Sequence, residues 1–130
     1  MQEAERRVRV GAADALSQRE ASLEFSRSRA RLYLLAERLS LRKEFLMKGS
    51  DAEMLQRKLR ESEVRMDATV AADELRLAEA RLEMTRKRQA AGAVDQLDVL
   101  RAELAMREQQ VTVQRLVLQL QAMERDKKKP

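Results

Sequence analysis

Apolar residues recur along this chain at helical spacing, in three stretches separated by breakers. Leu16, Leu23 and Ala30 fall seven apart, and Leu32, Leu35, Leu39 and Leu46 continue at threes and fours, with Arg42 interrupting. Steps of three, four and seven return a side chain to one side of an α-helix, so the spacing predicts a helix over about 2–48. Leu34 and Leu41 widen the stripe, which suits a helix touching more than one neighbour. The opening, Met1 to Gly11, is charged and weakly patterned, and Gly11 is a weak point for a helix.

A second helix is predicted over about 51–90. Leu55, Leu59, Ser62, Met66 and Thr69 form one stripe, and Ala71, Leu75, Ala78, Leu82 and Thr85 form another, displaced around the axis. Where the stripes meet, Ala68, Thr69, Ala71 and Ala72 carry little bulk, which permits a short distance to a neighbouring helix axis. The alternative is that these alanines are simply good helix formers on an exposed face. Asp67 and Asp73 flank the patch and are expected in solvent.

The third helix is predicted over about 95–123. Leu97, Leu104, Val111 and Leu118 are spaced by sevens, beside a second seam of Val99, Ala102, Met106, Gln109, Val113, Leu116, Leu120 and Met123. Two adjacent seams imply two neighbours.

Between these stretches stand Gly49 and Gly92, each at a place where a helix should stop, because glycine adopts a left-handed backbone without steric cost. Ser50 with Glu53 reads as a capping box, and Asp95 reads as an N-cap with Asp98 three residues on. A continuous rod through Gly49 is the alternative at the first turn. The two turns also align as copies: at an offset of 43, Leu32 meets Leu75, Leu34 meets Leu77, Arg38 meets Arg81, Leu39 meets Leu82 and Gly49 meets Gly92. Leucine-rich helices of one period align by chance too, but the paired glycines are harder to obtain that way.

The expected fold is therefore all-α: three long antiparallel helices, coiled-coil-like, turning at Gly49 and Gly92. They form a single elongated domain over 1–124, and residues 125–130 are expected to be a disordered basic tail. The seams exceed what three helices can cover, which predicts a homo-oligomer or a helical partner protein.

Composition agrees with this picture and narrows the chemistry. Aromatics are 2% and charged residues 38% of 130 residues, with Gly 3 and Pro 1, so the core is a thin seam and not a ball. There is no Cys and no His, which removes thiol chemistry, ordinary zinc sites and the usual general base. The net charge is +5, but more than half of it sits in Arg125–Lys129, so the body is not the strongly basic surface that tracks nucleic acid. The seven Met residues are spread along the chain, several on seams, and read as core filling instead of a soft-metal site. Asp95 and Asp98 are explained as caps, without acid–base catalysis. No catalytic residue, metal site or cofactor is expected. Met1 to Leu16 lacks the apolar run of a signal peptide, and no stretch approaches the roughly 20 apolar residues of a membrane span.

One stretch carries a resemblance. Gly92, then Asp98-Val99-Leu100 and Ala102, gives G-x-x-x-x-x-D-V-L-x-A between two long helices. Over about residues 75–120 this resembles the repeat of TolC-type outer-membrane efflux proteins. The resemblance implies that Gly92, Ala93 and Val94, with Gly49 as a weaker copy, form hairpin tips that meet a periplasmic adaptor. It also implies that Asp98, beside Asp95, is an acid near a tunnel entrance. Gln89 stands where the family often has an aromatic residue, and Arg101 where some members have a second acid.

The expected function is a non-enzymatic helical scaffold or interaction module resembling the periplasmic hairpins of an efflux protein. The alternative is a cytoplasmic coiled-coil adaptor or oligomerisation module unrelated to transport. The compartment follows the reading: periplasmic for the first, cytoplasmic for the second.

Overall fold

The computed structural model describes residues 2–49 and 51–128, with the side chains of Glu5, Val8, Arg9, Ala12 and Ala13 outside that description. The fold is all-α. Among the described residues the elements are α1 (Gln2–Lys48), α2 (Ala52–Ala90) and α3 (Gln96–Lys128), with no strand. Straight-chain residues and alanine dominate each of them, and Gly49 and Gly92 lie between them. Helix α1 runs through Gly11 without interruption. The continuous rod through Gly49 does not form, because Gly49 has left the helix at φ +59.

Helix α2 lies in the middle and packs against both neighbours, while no Cα of α1 comes within 8 Å of one in α3 among the described residues. Polar pairs set the register. Glu20 of α1 meets Arg81 at 2.8 Å, Arg27 pairs with Glu74, and Arg38 pairs with Glu63. Residue numbers thus rise on α1 as they fall on α2. Across α2 and α3, Arg86 meets Glu103 at 2.9 Å, and Glu61 meets Lys127 at 2.5 Å. All but Glu61 are at least a quarter exposed, so these pairs fix alignment more than they stabilise.

The core is as thin as the composition suggests. Val64, Ala71 and Leu116 form its centre, with Ala68, Val113, Leu120 and Met123 packed against them. Ala71 and Ala68 come from the small-residue patch, where low bulk lets α3 approach α2. On α1, among the described residues, the buried positions are Leu23 and Ala30. Among the described residues no side chain is fully buried. The chain exposes 10287 Å² at 15.0 kDa, against about 7,000 Å² for a compact monomer of that mass.

Three local expectations are corrected. Asp73 is not solvated: it is half-buried, accepts a hydrogen bond from the Ser26 hydroxyl, and pairs with Arg76 at 3.2 Å. The basic stretch Arg125–Lys128, expected to be disordered, continues α3, and Lys127 there reaches the buried carboxylate of Glu61 one helix away. Lys129 and Pro130 lie outside the described residues. At the first turn the N-cap is Asp51, whose carboxylate accepts the Glu53 amide at 3.1 Å; Ser50, the expected cap, lies outside the described residues.

Candidate functional site

Two features of this fold offer themselves to a partner: the turns, and the sides of α1 and α3 that face away from α2.

At the second turn, α2 ends in a Schellman motif. Gly92 sits at φ +75, its N–H donates to the Gln89 carbonyl at 2.9 Å, and the Ala93 N–H donates to the Arg88 carbonyl at 2.8 Å. A Cβ at Gly92 would meet nothing within 4 Å, so the glycine is required by backbone conformation and not by crowding. Ala93 is exposed and Val94 half-buried. Asp95 then caps α3 by accepting the Asp98 amide at 3.1 Å. Asp98 is half-buried in the first turn of α3, where the helix dipole favours a carboxylate. Gln89 and Gln96 are joined across the turn by a side-chain hydrogen bond. This contact was not foreseen, because it depends on the two helices already being side by side.

At the first turn Gly49 sits at φ +59 and its N–H donates to the Phe45 carbonyl at 3.0 Å. The turns stand at opposite ends of α2, whose 39 residues span about 58 Å. Gly49 is therefore not brought to Gly92, Ala93, Val94, Asp95 and Asp98; those five form one group and Gly49 stands alone.

The outward faces were half legible. On α1, Phe25, Leu32, Leu39 and Leu46 repeat every seven residues, and all are at least two-thirds exposed. Leu35 lies beside them at 54%. On α3, Leu97, Leu104, Val111 and Leu118 do the same, with Leu100 alongside, all at 50% exposure or more. The spacing of Leu32, Leu39 and Leu46 and of the α3 set was evident as apolar periodicity. Phe25 belongs to the same α1 row, one heptad before Leu32, although the apolar spacing read from leucine and alanine alone does not include it. Helix α2 has a single large exposed apolar residue, Met54, among the described residues.

Between α1 and α3 an open groove runs over α2, floored by Ala30, Leu34, Val70 and Leu116 and edged by Arg27 and Arg115. Among the described residues, no group of three His, Cys, Asp or Glu is placed to hold a metal ion, and no helix is long and apolar enough to cross a membrane. Glu61 has its carboxyl displaced below the ordinary glutamate range. The hydrogen bond from Lys127 holds its carboxyl low, with support from the charges of Lys127 and Arg65 and against the opposing effect of burial. Its lysine and arginine partners mark it as a structural clamp.

No protein-family model, no curated protein and no solved structure matches this chain.

Proposed function

We propose that this protein is a non-enzymatic helical scaffold: three antiparallel, coiled-coil-like helices whose work is to join other helices. The observation that carries the reading is the pair of seven-residue apolar rows left uncovered on α1 and α3. A seven-residue repeat is the pattern by which one helix receives another, and a chain with this much open apolar surface is suited to assembly. Covering the rows calls for further copies of the chain or a helical partner protein. The G-x-x-x-x-x-D-V-L-x-A stretch, with its tip formed by Gly92, Ala93 and Val94 and its acids Asp95 and Asp98, supports a likeness to the periplasmic hairpins of TolC-type efflux proteins. On that reading the tip meets a periplasmic adaptor.

A second reading, a cytoplasmic coiled-coil adaptor unrelated to transport, is favoured by one observation. In the efflux family the hairpin tips point the same way, whereas Gly49 and Gly92 stand at opposite ends of one helix.

The scaffold reading is tested by the mass of the chain in solution, alone and with fractionated lysate proteins removed or restored. Wild type should form a species heavier than 15.0 kDa, and Leu104→Glu should dissociate it without loss of helical circular dichroism. A monomer at all concentrations, with no helical partner bound, would sink the proposal. The upstream coding sequence separates the two readings: a signal peptide and barrel strands there support the efflux likeness, and their absence supports the adaptor.

A further inference from the structure

The two outward rows differ in their charged surroundings, and the difference bears on what covers α1. With Phe25 taken as position a of a heptad, Leu32, Leu39 and Leu46 are also a, Leu35 and Arg42 are d, Arg29 and Lys43 are e, and Arg31 is g. Arg29, Arg31, Arg42 and Lys43 are exposed, and among the described residues none of them makes an ion pair. The acids of this stretch, Glu37 and Glu44, are half-buried away from the row, and Glu44 is held by Lys48. The outward face of α1 over 25–47 is thus apolar along its centre and cationic along its edges.

Among the described residues, no apolar row of this chain is edged by acids alone. A second α1 would set the same cations against one another. The outward row of α3 is edged by both signs, Arg101, Arg107 and Arg115 with Glu103, Glu108 and Glu124, and Glu103 is held by Arg86, so it is not an acidic counterpart. The exposed acids of α2, such as Asp67, Glu79 and Glu83, accompany no apolar row. A flat bilayer fits poorly as well. A strict seven-residue row drifts by about 20° per heptad around a straight helix, so a plane meets only part of it, while a supercoiling helix follows it throughout. From Phe25 to Leu46 the row is about 32 Å long at helical rise.

We infer that the outward face of α1 binds an acidic amphipathic helix from a different protein, with leucine-type residues in its seam and Glu or Asp along its edges. This rests on the scaffold reading above and names one of its partners. Charge complementarity sets the choice of partner, since like charges at the edges of a coiled coil disfavour pairing.

The test uses the full chain and labelled synthetic peptides of about four heptads, with Leu at a and d and either Glu or Lys at e and g. Fluorescence anisotropy should show the Glu peptide binding at least about tenfold tighter than the Lys peptide, with the advantage shrinking as salt rises. Arg29→Glu with Lys43→Glu should reverse the preference, and Leu39→Asp should abolish binding of both. Circular dichroism shows that each variant stays folded, since all three positions are exposed. Equal binding of the two peptides, or a preference that survives the double reversal, overturns the inference. So does co-sedimentation with phosphatidylserine vesicles that the double reversal abolishes, because the occupant is then a bilayer. An oligomer of the chain that Leu39→Asp dissociates assigns the face to a second copy; that overturns the inference and leaves the scaffold reading standing. A monomer that binds neither peptide removes both.

Discussion

Leu39 and Leu82 stand at equivalent places, ten residues before their turn glycines, Gly49 and Gly92. One is 69% exposed and the other 4%. Their immediate neighbours match as well: Arg38 and Arg81 each reach across to an acid on the adjoining helix, Glu63 and Glu20. The similarity of sequence therefore does not fix the environment. Position in the chain does: α2 has a helix on each side, and α1 has one. An apolar position on the middle helix is covered by a neighbour on either side, while one at the matching place on the edge helix stays open. The row on α1 is the outcome of losing one neighbour, not of a different pattern.

The comparison is broken most directly by truncating both leucines. Leu82→Ala should destabilise the fold by about 2–4 kcal/mol, as a buried leucine does when its cavity cannot fully collapse. Leu39→Ala should change monomer stability by less than about 0.5 kcal/mol. Urea unfolding of the two variants checks this, and equal losses would mean that α1 is covered in the folded chain. A smaller effect is expected at the turns. Gly92→Ala and Gly49→Ala each force a Cβ into a left-handed backbone, at a cost of about 1–2 kcal/mol. The two costs should be similar, because both glycines sit at positive φ, +75 and +59, and at neither would the Cβ meet an atom within 4 Å. Thermal melts in parallel check this.

The smallest effect concerns the far end of α3. Glu61 has its carboxyl held below the usual glutamate range by Lys127, with Arg65 assisting. A lowered value means the folded state favours the charged form. The contribution is therefore complete above the unfolded glutamate range and disappears as pH falls through the lowered folded value. Stability should decline on acidification through that window, and Glu61→Gln should flatten this part of the profile. A profile unchanged by the substitution would show that Lys127 does not dock the end of α3.

What could be read from sequence follows the reach of each force. Gly49, Gly92 and Asp95 were legible because a left-handed backbone and an N-cap are decided within a few residues. The helices were legible for the same reason, with α3 longer than its apolar seam suggested and Lys127 there meeting Glu61 across the interface. Asp73 was misjudged because its partner, Ser26, is 47 residues distant. Periodicity identified the apolar rows but could not say which would be covered. Leu23 and Ala30 are buried while Leu32 and Leu39 are open, although both pairs keep a seven-residue step. Which row faces a neighbour is settled by the arrangement of whole helices, information that no single row contains.

Because α1 and α3 each lie along α2, while among the described residues no Cα of α1 comes within 8 Å of one in α3, the molecule has two main contact walls and one shared support. Opening one wall exposes half of α2 without disturbing the bonds along the other. Amide hydrogens of α1 and α3 are thus governed by separate, local openings, while those at the centre of α2 need both walls to part. Exchange with solvent should release the outer helices independently and the middle of α2 last. The order in which the chain comes apart is written in which helix lacks a second neighbour.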